Sequence, residues 1–433
     1  MSNTQEYVQW FRGAAPYIKA HRKKTFVILV SDDVIFSDRF IGLVHDIALL
    51  NHLGIKLVLL HGSRKSIDSH LEKNNTRTDF HQNIRISDAE SMPLIIQAIN
   101  QVRTYFESQL SMGLPNTPMS GSEISLVSGN FVTGMPLGVI DGVDMQHSGK
   151  VRDIKRDEIA DLLTMNHVLL LSNLGYSRTG EVFNLPAEEL AAEVACALKA
   201  DKLIYIQEDL GEGSANPSSL STRDCEHLIA SAELSNDREN LLRHAVRAIQ
   251  MQVKRVHLID QNIEGGLLLE LFTRNGCGTL ITNLFYEGIR KASIDDIGGI
   301  LSLIEPLQSS GVLVERSREQ LELEINHFQV IEKDGMIIAC IASIPTPDSK
   351  LREVACLAVH ADYQNTGLGN QLLELVEMES RQSGVKQLFA LTTRTSHWFI
   401  EHEFLESPDF SLPEQRKANL NPQRGSKVLV KTF

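Results

Sequence analysis

Six apolar runs in the first two thirds of the chain constrain the fold most strongly. They read KTFVILV, IKLVLL, ISLVSG, HVLLL, DKLIYI and KRVHLI, and longer amphipathic segments separate most of them. Continuous apolar runs are typical of strands that are buried on both faces, whereas half-exposed strands alternate apolar and polar residues. Because strands that alternate with helices form parallel sheets, the pattern predicts a mostly parallel sheet covered by helices.

The last third of the chain has a different order of elements. It reads as two helices, a hairpin over FQVIEKDGMIIACIAS that turns near Lys333, a strand over LREVACLAVH, the turn QNTGLG, a helix, and further strands that end with SKVLVKTF. A chain of 433 residues also exceeds what one hydrophobic core usually supports. We therefore expect an N-terminal domain over residues 1–285 and a second α/β domain over residues 286–433.

Composition and charge argue against several classes of protein. The formal net charge of -13 is unfavourable for general binding to nucleic acid or to anionic membranes. The five cysteines form no CxxC pair, which indicates neither a zinc site nor a disulfide framework and fits a reducing compartment. No run of about 18 apolar residues and no apolar signal core occurs. We expect a cytoplasmic protein without a metal, nucleic-acid or membrane partner.

The turn QNTGLG at residues 364–369 lies between a predicted strand that ends at Val359 and a predicted helix. Such a turn presents backbone N–H groups at a helix N-terminus, and its glycines let an anion approach closely. A pyrophosphate would suit it. A helix start without any ligand has the same sequence pattern, so the turn alone leaves both interpretations open.

The order of hairpin, strand, Q-x-x-G-x-G turn, helix and strand resembles the GNAT acetyltransferase superfamily. In that superfamily the turn binds the pyrophosphate of acetyl-CoA, and the strand before it pairs with the pantetheine arm. The resemblance implies that the following residues contact acetyl-CoA: Cys356, Leu357, Ala358, Val359, Gln364, Asn365, Thr366, Gly367, Leu368 and Gly369.

The two domains together resemble the bacterial N-acetylglutamate synthase family, in which an amino-acid-kinase-like domain is fused to a GNAT domain. The stretches APYIKAHRKKTFVI, PLGVIDGVDMQHSGKVRDI, GGLLLELFTRNGCGT and FALTTRTSHWF carry this resemblance. It implies acetyl transfer from acetyl-CoA to L-glutamate, the first step of arginine biosynthesis. It also implies L-arginine as an effector and a homo-oligomer such as a hexamer.

The resemblance further implies two catalytic side chains. Glu353 is expected to be the general base, because an α-amino group is mostly protonated at neutral pH and must lose a proton before it attacks. Without the resemblance, Glu353 would read as a solvated carboxylate at a strand edge. Thr392 is expected to protonate the thiolate of coenzyme A, although threonines at strand ends are also common as strand formers and caps.

Binding residues for the two amino acids follow from the same resemblance. The carboxylates of glutamate call for arginines that make paired hydrogen bonds, and Arg316, Arg424, Ser426 and Cys356 stand at the matching positions. For each arginine, an ordinary surface position is the alternative. The arginine effector is expected to contact these residues: Tyr17, Lys199, Glu270 and Gly276. Alternatively, Glu270 lies on the wet face of an ordinary amphipathic helix.

Two departures from the family pattern carry physical consequences. Asp32 and Asp33 stand where the family has two glycines, and two carboxylates there would repel a triphosphate, so kinase activity is expected to be lost. Glu403 replaces a usual glycine, and a positive φ at that position would cost about 1 kcal/mol. Two other functions stay open, a catalytically silent arginine-sensing protein and a GNAT enzyme with a different amine acceptor.

Overall fold

The computed structural model describes residues 3–112, 121, 124–207, 219–231, 234–273, 276–282, 289–333, 336–364, 367–418 and 424–433. The chain divides into two compact units, Met1–Asn283 and Leu284–Phe433. The predicted end of the first domain, at Phe285, lies outside the described residues. Across the described part of the chain, every helix is too short or too polar to cross a membrane.

The first unit contains the following strands: β1 (Thr25–Val30), β2 (Lys56–His61), β3 (Phe80–His81), β4 (Ile84–Arg85), β5 (Leu126–Val127), β6 (Val132–Pro136), β7 (Val139–Ile140), β8 (Val143–Asp144), β9 (Gly149–Ile154), β10 (Val168–Leu171), β11 (Leu174–Tyr176), β12 (Val182–Asn184), β13 (Lys202–Gln207), β14 (Ser219–Ser221), β15 (Arg255–Asp260) and β16 (Thr279–Thr282). Its helices are α1 (Asn3–His21), α2 (Asp32–Ile35), α3 (Phe40–His52), α4 (Arg64–Lys73), α5 (Met92–Leu110), α6 (Arg156–Thr164), α7 (Ala187–Leu198), α8 (Thr222–Ala230), α9 (Asn236–Gln250) and α10 (Gly266–Phe272).

The central sheet of this unit has the strand order β14-β16-β15-β13-β1-β2-β10-β5. The six strands from β15 to β5 are parallel, and β16 pairs antiparallel to β15. Side chains of β1 alternate between two cores: Val27 and Leu29 pack with α7 and α9, whereas Phe26 and Ile28 pack with α3 and α5. Burial on both faces explains the continuous apolar runs and confirms the predicted mostly parallel sheet.

The second unit is built on one mixed sheet with the order β17-β18-β19-β20-β21-β23-β22. Its strands are β17 (Ile289–Lys291), β18 (Phe328–Lys333), β19 (Met336–Pro345), β20 (Leu351–Val359), β21 (Gln387–Thr392), β22 (Leu405–Glu406) and β23 (Lys427–Thr432). Its helices are α11 (Ile297–Ser309), α12 (Arg318–Glu324), α13 (Leu368–Gln382), α14 (Ser396–Glu401) and α15 (Glu414–Ala418). Adjacent strands are antiparallel except β20 and β21, which are parallel.

The turn after α14 has the positive φ that the expected glycine would have favoured. Glu403 adopts a φ of 67°. Its carboxylate lies 3.3 Å from Nζ of Lys431, which is almost buried and also bonds Glu377 at 2.7 Å. Because the Glu403 side chain is 82% exposed, its ion pair offsets only part of the backbone strain.

We predict that Glu403→Gly is more stable to unfolding than Glu403→Ala by about 1 kcal/mol. Both variants lose the ion pair with Lys431. Only glycine also removes the penalty of the left-handed backbone. Urea unfolding of the two variants, followed side by side, measures the difference. Equal stability would contradict a strained backbone at this position.

Candidate functional site

An opening between β20 and β21 forms the centre of the candidate active site. The two strands pair from Leu351 opposite Gln387 to Val354 opposite Ala390. Beyond that point β20 continues to Val359, but among the described residues no further pair joins it to β21. Diverging strands leave backbone donors and acceptors on facing edges, where an extended ligand can pair with them as an added strand.

A bulge in β20 lies beside this opening. Ala355 pairs with Ala342 and Ala358 pairs with Cys340, so two residues, Cys356 and Leu357, oppose a single residue of β19. Cys356 adopts a φ of 51°, a left-handed conformation that is unfavourable for a non-glycine residue. A bulge takes its extra residue out of the ladder, and the backbone around Cys356 is therefore turned toward other partners.

Glu353 lies three residues before the bulge, in register between Ile344 of β19 and Phe389 of β21. Its side chain is only 7% exposed, and Oε1 accepts a hydrogen bond from Nε of Arg416 at 2.9 Å. Burial raises the pKa of Glu353, while the charges of Arg416 and Arg316 lower it in part. A carboxylate with a raised pKa is a stronger base than a solvated one.

Both predicted glutamate-binding arginines are associated with the loop that follows α11. Arg424 donates hydrogen bonds to the carbonyls of Gly311 and Val312 at 2.9 and 3.1 Å. Arg316 lies farther along the same loop, pairs with Glu324 of α12, and is largely buried. The charge of Arg316 also lowers the pKa of Glu353, less than the charge of Arg416 does.

Ser426 and Thr392 lie at adjacent ends of β23 and β21, on the far side of the opening. Ser426 is half-buried and directly precedes β23. Thr392 ends β21, and its Oγ1 accepts a hydrogen bond from the backbone N–H of Thr395 at 3.0 Å. The Thr392 hydroxyl therefore also caps the following loop. The next hydroxyl, Oγ1 of Thr393, is buried and has no hydrogen-bond partner among the described residues.

The predicted pyrophosphate turn leads into α13, and the N-terminus of this helix is open. Gly367 is the N-cap of this helix with a φ of 83°. Among the described residues, chain neighbours and the helix's own backbone aside, no atom lies within 4 Å of where its Cβ would be. Gln364 donates to the carbonyl of Val359 at 3.4 Å, while Asn365 and Thr366 lie outside the described residues. Leu368 and Gly369 begin the helix, which leaves its first N–H groups without intrahelical acceptors. The turn fits an anionic group.

Glu270 of α10 is the centre of the candidate effector site. Its Oε2 accepts hydrogen bonds from the backbone of Cys277 and Gly278, both at 2.8 Å, and Oε1 contacts Nδ1 of His257 at 2.6 Å. A Cβ on Gly276, which has a φ of 63°, would lie 2.3 Å from Oε2. Glu270 and Gly276 thus adjoin each other, and only glycine fits beside the carboxylate.

A buried chain of polar groups extends from this carboxylate. Nζ of Lys202 donates to Nε2 of His257 at 2.9 Å, and Nδ1 of His257 donates to Glu270. Burial, with the charge of Lys202, lowers the pKa of His257 to about 4, so the ring is neutral at pH 7. Burial alone would raise the pKa of Glu270, but hydrogen bonds from His257 and from the backbone of Gly278 hold it below its usual value. The carboxylate is therefore a preorganised anion.

The remaining effector candidates lie on two other helices. The ring of Tyr17 in α1 lies 6.4 Å from the ring of His21, whose Nε2 contacts the carbonyl of Leu271 at 2.8 Å. This contact brings Tyr17 toward the helix that carries Glu270. Lys199 is the C-cap of α7, and the described hydrogen bonds and ion pairs do not connect it with Glu270.

The turn at Asp32 and Asp33 departs from the family pattern, and its own carboxylates interact with the first turn of α4. Oδ2 of Asp32 accepts a hydrogen bond from the backbone N–H of Ser66, in the first turn of α4, at 2.7 Å. Asp33 forms an ion pair with Lys65 at 2.8 Å. A phosphate at this helix N-terminus would have to displace a carboxylate of the chain itself.

Comparison with known families agrees with both units. The amino acid kinase family matches residues 29–260, and the acetyltransferase (GNAT) family matches residues 299–401. The predicted fold class, an amino-acid-kinase-like unit followed by a GNAT unit, is confirmed.

Relatives and solved structures match over nearly the whole chain. A crystal structure of N-acetylglutamate synthase from Neisseria gonorrhoeae with coenzyme A and L-arginine is 35% identical, has a TM-score of 0.79 and covers 99% of both chains. A second structure, with coenzyme A and N-acetyl-glutamate, has a TM-score of 0.63 at 35% identity over 98% of this chain and 99% of that one. Amino-acid acetyltransferases from Azotobacter vinelandii and Pseudomonas syringae pv. syringae are each 44% identical over 99% of this chain and 100% of their own length. The chain therefore belongs to the amino-acid acetyltransferase family.

Proposed function

We propose that this protein transfers the acetyl group of acetyl-CoA to the amine of L-glutamate in the cytoplasm. The observation that carries the proposal is the buried carboxylate of Glu353 beside the bulge at Cys356, at the mouth of the opening between β20 and β21. The named ligands of the Neisseria gonorrhoeae synthase, coenzyme A and N-acetyl-glutamate, support it.

The chain's own groups supply each step of the transfer. Glu353 accepts the proton of the attacking amine, directly or through one water. The backbone N–H near Cys356 donates to the carbonyl oxygen of the thioester, on which negative charge develops. Thr392, across the opening, donates to the departing sulfur. The attack is direct, and acetyl-CoA contributes only the activated acetyl group.

Acceptor specificity follows from the two arginines beside the α11 loop. We propose that Arg316 and Arg424, with Ser426, bind the carboxylates of glutamate, since a guanidinium makes paired hydrogen bonds with a carboxylate. A protein lysine or an aminoglycoside would give these arginines no carboxylate to bind.

The test is thiol release from acetyl-CoA with each amino acid in turn. We expect release with glutamate, and we expect Arg424→Ala to raise the KM for glutamate by about 10- to 100-fold, because it removes charge-assisted hydrogen bonds. Arg318→Ala is the matched control, since Arg318 is exposed and pairs with Glu322 of the same helix at 3.0 Å. Cofactor binding without release with any amino acid would support a silent sensor. Release with non-acidic amines would support another acceptor.

We predict that Glu353→Gln lowers kcat by about 100-fold or more. In the unmodified enzyme the base must be deprotonated, so the rate falls as pH drops through the pKa of Glu353. Because burial raises this pKa, the acid limb of kcat/KM should lie above the ordinary glutamate value of about 4.3. Steady-state rates between pH 4 and 9 measure it. An unchanged profile in the glutamine variant would exclude Glu353 as the base.

We further propose that L-arginine binds the amino-acid-kinase-like unit at Glu270. An anionic carboxylate held by three hydrogen bonds suits a guanidinium, and the arginine in the Neisseria gonorrhoeae complex supports this ligand. Tyr17, Lys199 and Gly276 complete the proposed contact set.

We predict that Glu270→Gln removes the effect of arginine on the rate but keeps the rate measured without arginine within about threefold, because a neutral amide loses the charge-assisted bonds. Glu264→Gln is the matched control, since Glu264 is an exposed carboxylate just before the same helix. Calorimetric titration with arginine measures binding directly. Full arginine binding by the Glu270 variant would contradict this site.

We also propose that the protein is a homo-oligomer, such as a hexamer. Trp10 and Phe11 on α1 are 43% and 58% exposed, and exposed Phe36 stacks on Tyr105 with a centroid distance of 5.1 Å. Exposed aromatic groups of this kind are frequent at subunit interfaces. Light scattering gives the subunit number, and a monomer at micromolar concentration would contradict the proposal.

A further inference from the structure

Arg416 contacts the carboxylate of the candidate base. It lies on α15, 63 residues along the chain from Glu353, and its Nε contacts Oε1 of that carboxylate at 2.9 Å. The two side chains are 23% and 7% exposed, so the ion pair is largely shielded from water. A guanidinium bound to a carboxylate stabilises its charged form and thereby weakens it as a base.

The amino acid acceptor carries a competing carboxylate at the right distance. Its α-carboxylate is two bonds from the amine, so the carboxylate oxygens lie about 3 Å from the amine nitrogen. If the amine reaches Glu353, its α-carboxylate comes within reach of the guanidinium that now contacts Glu353. One arginine can then be bound by either carboxylate.

We propose that Arg416 exchanges partners during catalysis: the α-carboxylate of the acceptor takes the guanidinium from Glu353 and so releases Glu353 to act as the base. This inference rests on the proposed role of Glu353. It makes Arg416 the binding residue for the α-carboxylate, so that Arg316, Arg424 and Ser426 bind the side-chain carboxylate of glutamate. Glu353 is then activated only when a correct acceptor is bound.

The other charges around Glu353 are less suited to this exchange. Arg316 is already paired with Glu324 and stacks over the ring of Phe328 at 5.8 Å. Glu324 is the further charged group that acts on Glu353, and it raises the pKa of Glu353. The two residues that pair with Glu353 on the adjacent strands, Ile344 and Phe389, are uncharged. Removal of the Arg416 charge should therefore raise the pKa of Glu353 in the substrate-free enzyme.

The first test compares three acceptors: glutamate, its α-carboxamide analogue and its γ-carboxamide analogue, glutamine. We expect the unmodified enzyme to prefer glutamate over the α-carboxamide by about 10- to 100-fold in kcat/KM, since the amide cannot attract the guanidinium. In R416Q this preference should fall to within about threefold. The preference over glutamine should stay unchanged, because Arg316 and Arg424 remain.

The second test uses pH profiles at saturating acetyl-CoA. The profile of kcat/KM reports the enzyme before glutamate binds, whereas kcat reports the complex with both substrates. We expect R416Q to move the acid limb of kcat/KM farther to higher pH than that of kcat, because Arg416 contacts Glu353 directly only before glutamate binds. A permanent structural ion pair would move both limbs together, and that result would overturn the exchange.

Two further variants make the outcome decisive. K417Q removes a charge from the same helix, where Lys417 pairs with Glu414 at 2.8 Å, and should keep all acceptor preferences. R416K keeps the charge without the planar fork, and should show an intermediate preference even if R416Q is poorly folded. Retained preference for the α-carboxylate in both Arg416 variants would overturn the exchange.

The two proposals can fail separately. An inactive Glu353→Gln enzyme combined with unchanged acceptor preferences in R416Q would leave the base in place and reject the exchange. A fully active Glu353→Gln enzyme would reject the base and, with it, the exchange.

Discussion

The left-handed backbone at Cys356 is the constraint on which the candidate active site depends. It inserts a bulge into β20 at the point where pairing with β21 stops, so the two parallel strands diverge. Glu353 lies just before the divergence, and Thr392 lies across it. The open amino end of α13 follows it. The proposed base, a hydroxyl and the proposed anion site therefore lie around one stretch of unpaired backbone, because a single strand bends.

Buried carboxylates in both units are paired with groups of the chain itself. Glu353 is paired with Arg416 in one unit, and Glu270 is held by His257 and backbone N–H groups in the other. An unpaired buried carboxylate would cost several kcal/mol, so these contacts within the chain stabilise both carboxylates. The proposed ligands offer chemistry of the same kind, a carboxylate in one site and a guanidinium in the other.

The sequence predicts the fold well where burial determines the residue pattern. Strands β1, β2 and β10 are buried on both faces, which leaves continuous apolar runs in the sequence. The sequence does not predict the bulge. A glycine at position 356 would have indicated a left-handed backbone, whereas a cysteine does not. The positive φ of Glu403 was expected only through the family resemblance and is present in the structure.

The sequence does not predict the long-range contacts at either site. Nothing local marks Arg416 as the partner of Glu353, since the two residues meet only when the chain folds. His257 lies inside a buried strand, where it reads as one polar residue in an apolar run, yet it connects Lys202 with Glu270. The sequence alone therefore leaves Glu353 as a solvated carboxylate, whereas the structure buries it.

Hydrogen exchange of the backbone amides in β20, measured with and without coenzyme A, tests the central claim most directly. If the divergence of β20 from β21 is the binding slot, coenzyme A should slow exchange at residues 356–359 and at the first turn of α13, while β1 exchanges as before. Binding of coenzyme A without added protection at these amides would contradict the account.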